Sequence, residues 1–169
     1  MAAPVLLLNG NHLPFFDRYK YLGVFIHNDL SDESDIKRHI RSLYCRGNVF
    51  TKNFKSCNTI IKNRLFVTYC SNAYGATLWC NFPKPVFNKA IVAYNDIYRQ
   101  LFGIRRGISM TATYAENKLL SFKDVVLSNI VSFRKRINRS HNMILYAITR
   151  SVFFINDSSI NKFWKNPFE

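Results

Sequence analysis

Ten side chains carry a carboxylate: Asp17, Asp29, Asp32, Glu33, Asp35, Asp96, Glu116, Asp124, Asp157 and Glu169. Carboxylates that converge on a pair of cations can drive nucleotidyl transfer, so their spacing is the first test for chemistry. Only Asp32, Glu33 and Asp35 cluster, and they lie among Ser31 and Ser34. Hydroxyl and acidic residues in such a run satisfy free amides and favour the positive end of a helix. The expected role of the cluster is therefore helix capping. Cys45, Cys57, Cys70 and Cys80 form no C-x-x-C pair, and His12, His27, His39 and His141 fall at no zinc spacing relative to them. They read as buried, reduced thiols of an intracellular chain. Phosphate-cradling glycine loops and the nucleophile-elbow pattern are both missing. The expectation is a binder with no catalytic residues, no metal site and no cofactor.

Charge points to what is bound. The 169 residues carry 24 Lys and Arg against 10 Asp and Glu, a formal net charge of +14. Residues 1–35 hold two basic and five acidic side chains, so the excess lies further along. Between Asp35 and Asp96 there are ten basic residues and no acid. From Arg105 to Arg150 nine more face only Glu116 and Asp124. A solvated helix face normally mixes signs, because opposite charges four residues apart help and like charges repel. Phosphates are the economical source of the missing negative charge, ahead of an acidic protein or membrane partner. Such contacts position a protein without reading base sequence. No apolar run approaches the ~18–20 residues of a membrane span, so no membrane partner and a soluble, intracellular chain are expected.

The elements that must present this charge follow from hydrophobic spacing. Val5–Leu8 and Leu13–Phe16 flank Asn9-Gly10, a dipeptide suited to a tight hairpin turn. Tyr19–His27 reads as a further strand. Residues 1–30 thus form a small β element, too few strands to stand alone. A helix begins after Ser31. On its wheel Ile36, Ile40, Leu43, Tyr44, Gly47, Phe50 and Phe54 share an arc of about 120°, with Lys37, Arg38, Arg41, Lys52 and Lys55 in the neighbouring ~100°. A second helix is predicted from Asn58 to Trp79, with Ile61, Leu65, Tyr69 and Leu78 inward. A third opens at Pro83 and Pro85, carries Val86, Ala90, Ala93, Tyr94, Ile97 and Leu101 inward, and ends at Gly103. Ser109 caps a short helix, Ser121 and Asp124 resemble a capping box opening a helix through Val126, Ile130, Phe133 and Ile137, and Ser140 starts one more through Ile148. The fold expected is mainly α, a helical domain over 31–150 behind the β element, with residues 151–169 an irregular tail.

The residues Tyr19-Lys20-Tyr21-Leu22-Gly23-Val24 resemble the F-K-Y-L-G-V segment just downstream of the palm in non-LTR (LINE-type) retrotransposon reverse transcriptases. Ile61 to Phe66, Tyr69-Cys70, Tyr74-Gly75 and Leu78-Trp79 are similar to the family's K-x-x-L-F-x-x-Y-C, Y-G and L-W helix. Ala93 to Asp96, Arg99, Leu101 to Gly103, Arg105-Arg106 and Ser109 resemble its A-Y-N-x-x-x-R-x-L-x-G-x-x-R-x-x-S helix and loop. The similarity runs in order over about residues 5–150.

The resemblance implies the end of a polymerase palm followed by a helical thumb that grips template–primer duplex, RNA–DNA or DNA. The family's catalytic aspartates lie upstream of these motifs and are absent here. It therefore implies a fragment of an RNA-directed DNA polymerase that is inactive alone, or a subunit that docks onto a separately encoded palm. The rival reading is a basic helical protein-interaction module. Candidate nucleic-acid contacts are Lys20, Tyr21, Gly23, Lys37, Arg38, Arg41, Lys52, Lys55, Lys62, Arg105 and Arg106. Gly23 marks either close backbone approach to nucleic acid or a strand bulge, and strand alternation also allows Tyr21 to be core. Arg105 and Arg106, in a loop, read as binding residues or as solvated surface. Trp79, Tyr74 and Tyr94 are expected to be core aromatics rather than base-stacking platforms.

Overall fold

The computed structural model describes residues 6–168. Two β-hairpins lead into a helical body. Strands β1 (Leu7–Leu8) and β2 (Asn11–His12) pair antiparallel through Asn9 and Gly10, both at positive φ (50° and 80°). The turn is the expected one, but the strands are shorter than the apolar runs flanking it, and Val5 lies outside the described residues. Strands β3 (Arg18–Tyr21) and β4 (Val24–His27) form the second hairpin, with Tyr21 opposite Val24 and Arg18 opposite His27. The single strand expected over Tyr19–His27 is thus folded in half. Leu22 and Gly23 take φ values of 47° and 83° and form a two-residue turn, a backbone shape that matches strand twist and favours glycine. Gly23 is a turn residue, not a bulge.

Helix α1 (Glu33–Asn53) packs along α3 (Lys84–Phe102), and α2 (Thr59–Cys70) lies against both. A 3-10 turn at Ala76–Leu78 follows α2, so the predicted helix to Trp79 stops at Cys70. Gly75, at φ 88°, sits where the chain turns. Helices α4 (Met110–Glu116), α5 (Phe122–Asn138) and α6 (Met143–Arg150) complete the expected set, although Ser109 stands at the start of α4 without a side-chain capping bond and α6 is capped by Asn142 rather than started by Ser140. The stretch expected to be an irregular tail carries two further helices, α7 (Val152–Asn156) and α8 (Ser159–Lys165). The tail is ordered by burial of Phe163 and Trp164, whose indole donates to the Thr77 carbonyl at 2.8 Å while its own carbonyl accepts from Arg134 at 2.9 Å. Among the described residues no helix is long and apolar enough to cross a membrane.

The core is strongly aromatic. Phe66 meets the rings of Tyr94 and Tyr98 at 4.8 and 4.9 Å, and Phe122 meets Tyr94 at 5.5 Å. Buried tyrosine hydroxyls need partners, and each has one. Tyr94 shares a hydrogen with Ser71 Oγ at 2.8 Å, Tyr98 donates to Asn63 Oδ1 at 3.0 Å, and Tyr114 donates to Asn95 Oδ1 at 2.9 Å. The six residues expected inward on α3 are all buried. On α2 the expectation fails: Phe66 and Cys70 point in, while Ile61, Tyr69 and, beyond the helix, Leu78 are exposed and Leu65 is half-buried. Apolar residues surround α2 on all sides, so spacing alone does not select its inner face. Ser121 and Asp124 form the expected capping box, Ser121 Oγ accepting from Asp124 N at 3.3 Å and Asp124 accepting from Ser121 N at 3.2 Å.

Gly47 lets α1 approach α3 closely. A Cβ there would stand 2.8 Å from both γ-carbons of Ile97, which is itself buried and β-branched. Gly47→Ala should destabilise the fold by about 1–3 kcal/mol through overpacking, despite alanine's higher helix propensity. In an Ile97→Ala background the same change should be neutral or stabilising, a coupling that a double-mutant cycle in urea measures directly.

His39 lies on the inner face of α1 between Trp79 and Phe122, at ring distances of 5.5 and 5.8 Å. Burial pushes its pKa from 6.5 down to about 4, and the Arg46 and Arg38 guanidiniums push the same way against the weaker pull of Asp35. The unfolded chain therefore binds the proton more readily. His39 supports the fold above pH ~6.5, and that support is lost as pH falls toward about 4. Unfolding free energy, followed by urea titration across that window, should fall with acidification. His39→Leu should flatten this limb relative to the unaltered chain.

Candidate nucleic-acid interface

The interface candidates divide according to what α1 does with its first turn. Asp32 occupies the N-cap position, but its side chain makes no capping bond. Instead Asp32 Oδ2 accepts from the Cys80 and Asn81 amides at 2.7 and 2.6 Å, and burial pushes its pKa up against those two bonds. Asp32 is therefore a tie to the segment after the 3-10 turn rather than a side-chain cap, while Glu33 and Asp35 stand in the first turn of α1 as expected and Ser31 Oγ accepts from the Glu33 amide at 3.4 Å. Asp35 goes further. It is only 1% exposed, and its carboxylate accepts from Trp79 Nε1 at 2.9 Å, from the Phe25 amide at 3.2 Å and from Arg38 Nε at 2.7 Å. One buried charge thus joins β4, α1 and the residues after the 3-10 turn. Gly75 leaves the space for it: a Cβ there would stand 3.2 Å from Asp35 Oδ2 and 3.3 Å from Val24.

These ties position the β3–β4 hairpin. Tyr74, expected in the core, is 57% exposed. Its hydroxyl donates to the Leu22 carbonyl at 2.9 Å and holds the hairpin tip. Lys20 and Tyr21 are exposed on β3, Lys20 opposite Phe25 and Tyr21 opposite Val24. With Phe25 bound to Asp35, both stand at the same end of α1 as Lys37. Tyr21 is not core.

On α1 itself successive residues advance about 100°. Lys37, Arg41, Tyr44, Asn48 and Lys52 consequently form one exposed stripe opposite buried Ile36, His39, Leu43, Gly47 and Phe50. Lys37 pairs with Glu33 at 2.6 Å across one helical turn, a solvated contact of small net energy. Arg38 differs from its neighbours: it turns inward to Asp35 and belongs to the scaffold. Lys55 is exposed just past the helix. Arg106 lies across from the stripe, because Tyr44, Asp96, Arg99, Gly103 and Arg106 line one shallow depression of about 230 Å³. Arg99 Nη2 holds that loop by donating to the Ile108 carbonyl at 3.0 Å. Arg105 is exposed beside Arg106. Lys62 stands apart, over the Phe102 ring at 5.8 Å from its centre. Arg46, a further member of the acid-free run, donates to the Tyr69 carbonyl in the last turn of α2.

The four cysteines are free, Cys70 buried, Cys57 and Cys80 half-buried and Cys45 exposed, so burial holds fully only for Cys70. Burial pushes the Cys70 thiol up to about 11, which makes it a poor nucleophile at neutral pH. Among the described residues no group of three or more His, Cys, Asp or Glu side chains stands close enough to hold a metal ion.

The chain matches no protein-family model, no curated protein and no solved structure.

The two roles of neighbouring arginines are separable. Asp35→Ala should lower unfolding free energy by about 3–5 kcal/mol, because it strands the Arg38 charge and two donors in a buried site. Arg38→Ala should also destabilise measurably, whereas Arg41→Ala should stay within about 0.5 kcal/mol. Chemical denaturation of the three variants checks the ordering.

Proposed function

We propose that this chain is a palm-end and thumb-like piece of a reverse transcriptase of the non-LTR type, and that it grips template–primer duplex through phosphate contacts. The observation that carries this reading is the outer face of α1. Lys37, Arg41 and Lys52 line it within a run of 60 residues that has no acid, and Arg106 approaches from the loop after α3. A cationic stripe on a helix of 21 residues, about 30 Å long, suits a phosphate backbone, whose contacts position without reading base sequence. Duplex DNA presents one charge about every 1.7 Å along its axis, so the stripe spans many phosphates.

A second line of support is that the motif residues quoted for the resemblance meet in space. The Tyr21-to-Val24 turn is held by Tyr74 and approached by Gly75, and Trp79 shares the Asp35 carboxylate with β4. Arg99 of the third motif braces the loop that carries Arg105 and Arg106. Residues far apart in sequence thus form one scaffold behind the stripe. Lys20 and Tyr21 at the hairpin are the primer-side contacts of this reading, with Lys55 and Arg105 at the margins.

The runner-up, a docking subunit or protein-interaction module, is favoured by the hairpins. Leu7, Leu8, Phe15, Phe16, Tyr19 and Ile26 are all about half exposed or more, and an apolar β surface of this kind suits a neighbouring protein body such as a separately encoded palm. Co-purification of a protein bearing clustered carboxylates would favour it.

Fluorescence anisotropy with RNA–DNA hybrid and DNA duplexes tests the main reading. Affinity should fall linearly on a log–log plot against salt, with a slope near −0.9 per phosphate contacted on DNA duplex. Arg41→Glu with Lys52→Glu should weaken binding at least tenfold for every sequence and make the salt dependence shallower by about two contacts. A flat salt response, or tight competition by an acidic protein alone, would overturn it.

A further inference from the structure

A second basic surface lies away from α1. The first turns of α3 and α5 and the C-terminal helix α8 enclose an open cleft of about 740 Å³, within the usual range for ligand sites. Lys84 enters from α3, Lys123 from α5, and Lys162 and Lys165 from α8, all with exposed side chains. None of the four makes an ion pair among the described residues, and no described residue lining the cleft is acidic. Asp124, next to Lys123, is engaged in the capping box with Ser121 and does not line it.

The floor is aromatic rather than aliphatic. Phe82 stacks on buried Phe87 at 5.0 Å and 26°, Phe163 meets Phe82 edge-on at 6.0 Å, and Phe168 closes the side against Phe87 at 5.4 Å. Phe82 and Phe168 keep part of their surface open. Lys123 Nζ stands 5.6 Å from the Phe168 ring centre, so cation and ring already share one edge of the site.

We propose that this cleft binds unpaired nucleotides of a single strand, with phosphates on the lysines and bases against Phe82 and Phe168. Separated cations around partly exposed rings match a ligand that alternates phosphate and flat heterocycle, and every base has a face to stack. A purely acidic peptide such as polyglutamate would satisfy the lysines but bring no flat ring to stack. The shared chemistry, a base joined to phosphate, is available from a strand or from a free nucleotide. The site is separate from the α1 stripe and does not depend on its binding duplex.

The test is fluorescence anisotropy of the full chain with a labelled oligothymidylate of about 12 nucleotides. Lys123→Glu with Lys162→Glu should weaken binding at least tenfold, and Phe168→Ala at least about fivefold, since stacking contributes ~1–3 kcal/mol per base. Duplex affinity should stay within about twofold for both variants, while Arg41→Glu with Lys52→Glu should do the reverse. Displacement by a nucleoside triphosphate that is sensitive to the same substitutions would support the site and identify a free nucleotide as its occupant. Unchanged single-strand affinity in both cleft variants would overturn the proposal. So would a Phe168→Ala variant that binds the oligothymidylate as tightly as the unaltered chain, because the rings would then take no part. Should the double charge reversal lower thermal stability, Lys84→Gln with Lys165→Gln carries the same expectation on a folded chain.

Discussion

A single buried carboxylate organises the front of this molecule. Asp35 accepts hydrogen bonds from a strand amide, an indole and a guanidinium, and these three donors come from three segments of the chain. An ionised group taken out of water is tolerated only when its oxygens are fully engaged. That requirement fixes the rotation of α1 about its axis. With Asp35 turned inward, Ile36, His39 and Leu43 must follow it into the core, and Lys37 and Arg41 must face water. The cationic stripe is thus a geometric consequence of where one negative charge is held.

The same constraint explains why a short hairpin is ordered at all. Four-residue strands are marginal in isolation, and β3 and β4 leave Tyr19, Tyr21 and Ile26 largely exposed. What holds them is polar: Phe25 to Asp35 at one side and Tyr74 to Leu22 at the tip. Tyr74 sacrifices burial to make that bond. The hairpin therefore rides on α1, and Lys20 and Tyr21 are carried at the same end of that helix as Lys37.

Much of this architecture was legible from spacing. The inward face of α3, the glycine ending it, the Asn-Gly turn and the Ser121 box all follow from local rules, and local rules suffice where one face is apolar and the other is not. They failed where long-range contacts decide. On α2 apolar residues ring the helix, and only the docking of Phe66 against Tyr94 and Tyr98 selects its inner side. Asp32 and Asp35 read as caps because acids at a helix start usually are; Trp79 and the Cys80 amide, which they bind, lie more than 40 residues away in sequence. A signal was present all the same, since Asp35, His39 and Leu43 step by four along the buried face. Phe163 and Trp164 organised a tail whose short helices carry little periodicity to read. The charge of the outer α1 face was legible, but the turn of Arg38 toward Asp35 was not, because spacing cannot say which arginine a buried carboxylate will claim.

The most direct measurement is an NMR titration of the isotopically labelled chain with an RNA–DNA hybrid duplex. Backbone and arginine side-chain resonances along Lys37, Arg41, Asn48 and Lys52, together with Arg106, should shift together and return as salt is raised. The Arg38 guanidinium and the Trp79 indole should stay where they are. Shifts confined to the hairpins, or scattered over the surface with no continuous track along α1, would contradict the assignment of that helix as the gripping face.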